Sequence, residues 1–266
     1  MSTAAIGFLY AGATLGAMLS GIPIAFALGF VALAFMVAFM PGASLDTVAQ
    51  NVYEEMASIT LLSIPLFILK GAAIGGVVDG VEFSDPKFHP IWAKAEELGV
   101  PLFIHPQGVP ELNKRLSGNG WLGNTIANPL ETTIALSHLI FEGTLDRFPG
   151  LKIVAAHGGG YLPSYADRSD HACLVGPKGC NPEIKLKKAP TEYLKQIYFD
   201  SLIFTPEAIR HLAAQVGAGQ IVLGSDYPYP WQLAPVDHIF ACSSLSDDDK
   251  ANILGRTAAK LLGVAA

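Results

Sequence analysis

The chain has 266 residues, 17 Lys and Arg against 23 Asp and Glu, a formal net charge of −6 and a mean hydropathy of +0.39. That length leaves one large domain or two small ones open. The negative balance excludes nucleic acid as a partner, because such binding needs a basic face to neutralise phosphates.

The charge is unevenly placed. Residues 1–45 contain no Asp, Glu, Lys or Arg, and the rest of the chain carries every charged side chain. Two different solvents are implied. A bilayer core of about 30 Å takes about 20 apolar residues as a helix, so residues 4–40 read as one generous membrane span or two tight ones. Gly21-Ile22-Pro23 decides between a kink and a turn. No basic residue precedes the apolar run, which argues against a secretory signal peptide. The first positive charge is Lys70, so the positive-inside rule sets no orientation.

A polar interlude (Asp46, Gln50, Asn51, Glu54, Glu55) leads to a second apolar run at residues 59–69, interrupted by Pro65 and too short to span alone. Residues 21–29, from Gly21-Ile22-Pro23 to Leu28-Gly29, with Ser63-Ile64-Pro65-Leu66-Phe67-Ile68-Leu69, resemble the start of the large membrane subunit of tripartite ATP-independent periplasmic transporters. The resemblance covers about 70 residues. It implies membrane affinity rather than transport, hence an anchor and a membrane-associated chain; separately, the soluble segment is expected in the cytoplasm.

Beyond Gly75, short apolar runs alternate with longer amphipathic ones, as in βα units of a parallel sheet. Candidate strands are 101–105, 151–157, 196–200 and 220–226, with a weaker one at 72–78. Candidate helices are 85–98, 128–148, 206–216 and 247–262. Ser84-Asp85-Pro86 opens the first and Gly99 closes it, while three acids at Asp247-Asp248-Asp249 open the last.

Four apolar runs end in an ionisable residue: His105, His157, Asp200 and Asp226. In a (β/α)₈ barrel the C-terminal strand ends form the catalytic rim, so a series of such residues converges on one site. Pro106 stops the strand just past His105. In His157-Gly158-Gly159-Gly160 the glycines let backbone pass close to a ligand, and their N–H groups are candidate anion donors. A phosphate loop is the competing reading of that run, without a Gly-Lys-Ser/Thr or Gly-x-Gly-x-x-Gly frame to support it. Gly224-Ser225-Asp226-Tyr227-Pro228 sets a carboxylate beside a tyrosine that is a candidate substrate contact.

Together with Ala166-Asp167-Arg168, these motifs resemble the amidohydrolase-related metal-dependent decarboxylases, from about Lys70 to Ala266. The group includes aminocarboxymuconate-semialdehyde and resorcylate decarboxylases. The resemblance implies a TIM-barrel-like α/β fold in which His105 and Asp226 hold a divalent metal, zinc or manganese, and His157 is the acid/base. It also implies that Arg168 grips a substrate carboxylate, across the subunit interface of a homodimer. A divalent ion acts as a Lewis acid or lowers the pKa of bound water to ~7, and a neutral imidazole beside it shuttles the proton.

The family's barrel begins with a His-x-His pair, and none of the seven histidines (89, 105, 138, 157, 171, 211, 238) lies two residues from another. Catalytic zinc normally takes three protein ligands and water, so weak metal binding is expected. Residues 75–266 suffice for about six βα units at ~30 residues each. The three cysteines, Cys173, Cys180 and Cys242, form no Cys-x-x-Cys pair and read as reduced thiols, with local pairing of Cys173 and Cys180 open.

The expected domains are thus 1–72, a hydrophobic helical fragment, and 73–266, the C-terminal part of a metal-dependent barrel acting on a small carboxylate and impaired by the absent pair. The alternative is a non-catalytic, membrane-associated permease fragment carrying an inert partial barrel. Around Leu69 to Gly75 no Pro-, Gly- or Ser-rich linker separates the two patterns, as a joining of two genes or a deletion would leave it.

Overall fold

The computed structural model describes residues 3–19, 24–39 and 70–264. The chain divides into two compact units, Met1–Ile64 and Pro65–Ala266.

In the first unit, α1 (Thr3–Leu19) and α2 (Ile24–Phe39) pack on each other, with Tyr10 and Phe35 edge to face at 5.2 Å. With 17 and 16 residues at ~1.5 Å each, they are about 25 Å long, short of the ~30 Å hydrocarbon core. Among the described residues no helix is long and apolar enough to cross a membrane. Two short helices therefore stand where residues 4–40 read as one generous membrane span or two tight ones. Gly21-Ile22-Pro23 and residues 46–69 lie outside the described residues.

The second unit is built on a five-stranded parallel sheet. Its strands β1 (Ala72–Ile74), β4 (Pro101–Ile104), β5 (Lys152–Ala155), β6 (Ile197–Asp200) and β7 (Ile221–Val222) are neighbours in that order. The register sets Ile74 beside Ile104, Ile104 beside Ala155, and Ala155 beside Phe199. Sequential parallel neighbours joined by helices are the order of a barrel wall. The α/β reading holds, with five strands rather than about six units. The candidate strand at 72–78 divides because β2 (Val77–Val78) turns back antiparallel onto β3 (Val81–Glu82). The turn between them is Asp79-Gly80, both at positive φ (50° and 71°), a geometry that suits the twist of a two-residue hairpin.

Both faces of the strands are covered, as near-continuous apolar runs require. Ile104, Ile153, Ala155, Ile197, Phe199 and Ile221 are fully buried. Helices α3 (His89–Leu98), α4 (Ala127–Phe141) and α6 (Pro206–Val216) and the short α7 (Thr257–Leu262) contribute buried side chains around them, with α5 (Asp167–Val175) more exposed. Trp92 on α3 is fully buried and donates its indole N–H to the carbonyl of Phe83 at 2.9 Å. From α4, Leu136 and Leu139 reach the same core.

The helix signals act as their chemistry predicts. Gly99 ends α3 in the left-handed region (φ 62°), and Thr205 accepts from Ala208 N at 3.1 Å ahead of Pro206, so 206–216 forms as expected. Two predicted helices are interrupted. Residues 128–148 break after Phe141 because Gly143 takes φ 73°, and 144–147 form a separate turn. In 247–262 the segment Asn252–Arg256 widens into a π-helical turn containing Gly255. Cys173 and Cys180, read as reduced thiols, form a disulfide: the turn at Pro177–Gly179 folds the chain back and brings their Cα atoms to 5.7 Å. Cys242 is free and buried.

Leu139, fully buried on α4, gives a direct measure of this core. Leu139→Ala is expected to lower the unfolding free energy by about 2–5 kcal/mol. The check is a urea melt, in which the midpoint falls and the slope is unchanged.

Candidate metal centre

The residues that end the strands are placed by the strands themselves. His105 N donates to Ile74 O at 2.9 Å, extending the β1–β4 ladder by one residue, and Pro106 then stops it. Ala156 N donates to Ile104 O at 3.1 Å, and the next residue, His157, turns sharply at φ 56°. Asp226 comes four residues after the end of β7, because residues 223–226 leave the sheet as a loop instead of continuing the predicted strand. It too sits at positive φ, 61°.

The structure brings His105, His157 and Asp226 together. Each offers a ligand atom, and the three atoms lie within 4.8 Å of one another. His105 Nε2 is 3.7 Å from Asp226 Oδ1, and the two imidazole rings are 5.3 Å apart and inclined at 66°. A separation of 3.7 Å is too long for a hydrogen bond. It is close to the ~3.4 Å between two ligand atoms that each lie ~2.1 Å from one tetrahedral ion. His157 Nδ1 is buried without a hydrogen-bond partner. Two imidazoles, one of them with this unsatisfied buried nitrogen, and one carboxylate fit a divalent ion of the zinc or manganese type.

The fourth strand-end residue does different work. Asp200 is 7% exposed, and its carboxylate accepts from His157 N (3.0 Å), Gly158 N (2.9 Å) and Leu202 N (3.0 Å). It holds the turn that aims His157. Burial pushes the Asp200 carboxyl up, against the His157 imidazole and these three donors. The same turn removes the anion reading of the glycine run: Gly159 N donates to Ala156 O and Gly160 N to His157 O, each at 3.0 Å, so these amides already have partners.

Burial, the largest cause, lowers the His157 pKa below its ordinary 6.5. His105 adds to this, while Asp200 and Asp226 oppose it. The imidazole is therefore neutral near pH 7, the form that binds a metal or takes up a proton.

Two adjoining hollows meet at His157 and Asp226. One, of about 130 Å³, is walled by Asn124, Asn128, Leu202, Phe204 and Trp231. The other, of about 240 Å³, adds His105, Gln107, Trp121 and Tyr229. Trp121 stacks on Trp231 at 5.6 Å with planes 13° apart, and Phe204 lies 6.0 Å from Trp231. An enclosed apolar void of ~150 Å³ takes a benzene ring, so a substituted ring is the scale of guest that fits.

Two predicted site residues are not brought in. Tyr227 lines neither hollow, and Tyr229 lines the second instead. Arg168 is exposed in the first turn of α5 and lines neither hollow. Sequence reasoning missed the wall residues Trp121, Asn124, Asn128, Phe204 and Trp231, and also Glu131. The legible signal for the wall was the density of Trp and Asn between 119 and 128, just after His105-Pro106.

The amidohydrolase family model matches residues 67–264. The 2-amino-3-carboxymuconate-6-semialdehyde decarboxylase of Dictyostelium discoideum is 34% identical over 197 residues, 74% of this chain and 54% of that protein. The structure of 5-carboxyvanillate decarboxylase LigW from Sphingomonas paucimobilis superposes with a TM-score of 0.66 and 26% identity, covering 81% of this chain and 62% of that one. The 5-carboxyvanillate decarboxylase of Novosphingobium aromaticivorans, solved as the D314N mutant with manganese and 3-methoxy-4-hydroxy-5-nitrobenzoic acid, shares the fold. It has a TM-score of 0.65, 23% identity, and coverage of 81% and 61%. The chain thus spans about half the length of the curated relative, and from residue 67 onward it belongs to the amidohydrolase family.

Proposed function

We propose that the second unit is a metal-dependent decarboxylase of a small aromatic carboxylate. The observation that carries this reading is the convergence of His105, His157 and Asp226 where two adjoining hollows meet, walled between them by Trp121, Trp231 and Phe204. The manganese and the nitrobenzoic acid held by the Novosphingobium structure support it.

In this reading His105 and Asp226 hold the ion, with His157 beside it as the proton carrier. A divalent ion bound there supplies Lewis acidity at a carboxylate or phenolate oxygen of the substrate. The aromatic wall orients the ring by stacking and excludes water. Asn124 and Asn128 offer amide groups to its polar substituents. The carboxyl group leaves as CO₂, its bonding pair stays on the ring carbon, and His157 delivers a proton to that carbon. Neutral near pH 7, the imidazole first takes that proton from water or a phenol. Arg168 and Tyr227 have no part in this scheme within one copy of the chain.

The test is CO₂ release from a panel of hydroxybenzoates with added Mn²⁺ or Zn²⁺, alongside Mn²⁺ titrations of the metal-free protein. His105→Ala and Asp226→Ala are expected to abolish Mn²⁺ binding. His157→Ala should retain it within about threefold while turnover falls by ~10²–10⁴, the usual contribution of a positioned acid/base. Loss of binding in His157→Ala as complete as in His105→Ala would make His157 a ligand and overturn the division of roles. Turnover of the whole panel no faster than that of His157→Ala would remove the decarboxylase reading.

The depressed His157 pKa also has a sign in stability. Below pH 6.5 the unfolded chain takes up a proton at this residue before the folded one does, so unfolding binds protons and stability falls as pH drops from 6.5 towards the folded pKa. Urea melts of the metal-free protein between pH 5 and 7 should therefore show a steeper loss at acid pH than His157→Gln. Parallel pH profiles for the two would refute the shift.

A further inference from the structure

Resting on the metal-centre reading above, we infer that Glu131 is a positioning residue for His105, fixing the direction in which its imidazole leaves the sheet. Glu131 lies on α4 and is 4% exposed. Its Oε1 accepts from Gly76 N at 3.0 Å; its Oε2 accepts from Gln107 N at 2.6 Å and also from Gly108 N. Among the described residues no cationic side chain pairs with it. Three backbone donors and no acceptor face this carboxylate, so its buried charge is met wholly by the loops it holds.

Those loops are the exits of β1 and β4. His105 is tied by its own N–H to Ile74 O, and Pro106 has no N–H to give. The next two amides, of Gln107 and Gly108, are thus the nearest groups beyond His105 able to fix the path of the chain, and both end on Glu131. Gly108 takes φ 101°, a conformation L side chains rarely adopt, so the chain turns sharply there. Gly76 belongs to the same arrangement: a Cβ there would lie 2.7 Å from Glu131 Oε1. Three residues before Glu131 on the same helix, Asn128 lines both hollows. One side chain therefore locks the β1 exit, the His105 loop and the helix of the cavity wall to one another. His105, with its Nε2 3.7 Å from Asp226, is the ligand whose aim depends on that lock.

The comparison uses the full chain with three variants. Glu131→Gln keeps the shape but turns an NH₂ towards an N–H donor. Glu131→Asp keeps the charge and shortens the reach. Leu139→Ala weakens the core of the same helix without touching the loops. Mn²⁺ affinity, read from the electron paramagnetic resonance of the free aquo ion, is expected to fall ~10–100-fold in Glu131→Gln, as when a partner supporting a ligand is lost. It should fall less in Glu131→Asp, and by no more than about twofold in Leu139→Ala.

A second readout needs no metal: the His105 ring resonance, followed by ¹³C-labelled NMR, should shift on Asp226→Asn in the wild-type background and lose that response when Glu131 is Gln. Equal Mn²⁺ affinity in Glu131→Gln and Leu139→Ala overturns the inference, as does an undiminished His105 response. If Glu131→Gln does not fold, Glu131→Asp is read by both measurements against the same two outcomes. Should the wild type bind no Mn²⁺, the proposed function fails, while the His105 response still decides the role of Glu131.

Discussion

The carboxylate of Asp200 gathers the N–H groups of His157, Gly158 and Leu202, and the aim of the His157 imidazole follows from that convergence. A strand leaving a parallel sheet has to shed its ladder partners, and its freed amides are costly to bury unmet. Asp200 meets them from the neighbouring strand. The glycines that follow complete the turn: a Cβ on Gly158 would lie 2.7 Å from Ile203, and one on Gly159 2.6 Å from Phe199. The sharp exit of His157 and the absence of side chains behind it are one arrangement.

Backbone strain gathers at the His157 and Asp226 cluster. Only four non-glycine residues among those described take positive φ: Asp79 in the hairpin turn, Trp121 on the aromatic wall, and His157 and Asp226 in the centre. A left-handed conformation costs a residue with a Cβ about 1–2 kcal/mol, which the surrounding packing has to offset. The buried faces of β4, β5 and β6, from Ile104 to Phe199, supply the rigid frame against which those turns are held. A cluster built this way is preorganised, since the fold rather than an incoming group fixes the directions of its side chains.

How far the sequence revealed this depends on whether a residue acts through its side chain or through another residue's backbone. His105-Pro106 and His157-Gly158-Gly159-Gly160 were legible because proline and glycine punctuate the chain at the strand ends. Asp226 was legible as a member of the cluster, although its strand is only two residues long and a loop delivers it. Asp200 carried the same signature and yet serves backbone amides, because which way a carboxylate faces depends on the neighbouring strand. Glu131 was invisible: a glutamate within a mixed helical pattern reads as a solvated face, and its three partners lie 23 to 55 residues away. The break at Gly143 was readable from glycine's preferences. The pairing of Cys173 with Cys180 depends on a fold-back at Pro177 that spacing alone leaves open.

The helix bearing Asn128 approaches the sheet exits on both sides through residues without side chains. A Cβ on Gly160 would stand 2.1 Å from the carbonyl of Pro129, just as one on Gly76 would press on Glu131. The spacing between this helix and the sheet exits is therefore set at positions that do not line the hollows. A methyl group at Gly160 would push against the helix backbone itself, and one at Gly76 against the carboxylate that ties the helix to the loops. Variation confined to the visible lining would reshape the hollows locally, while the spacing of helix and sheet stays fixed.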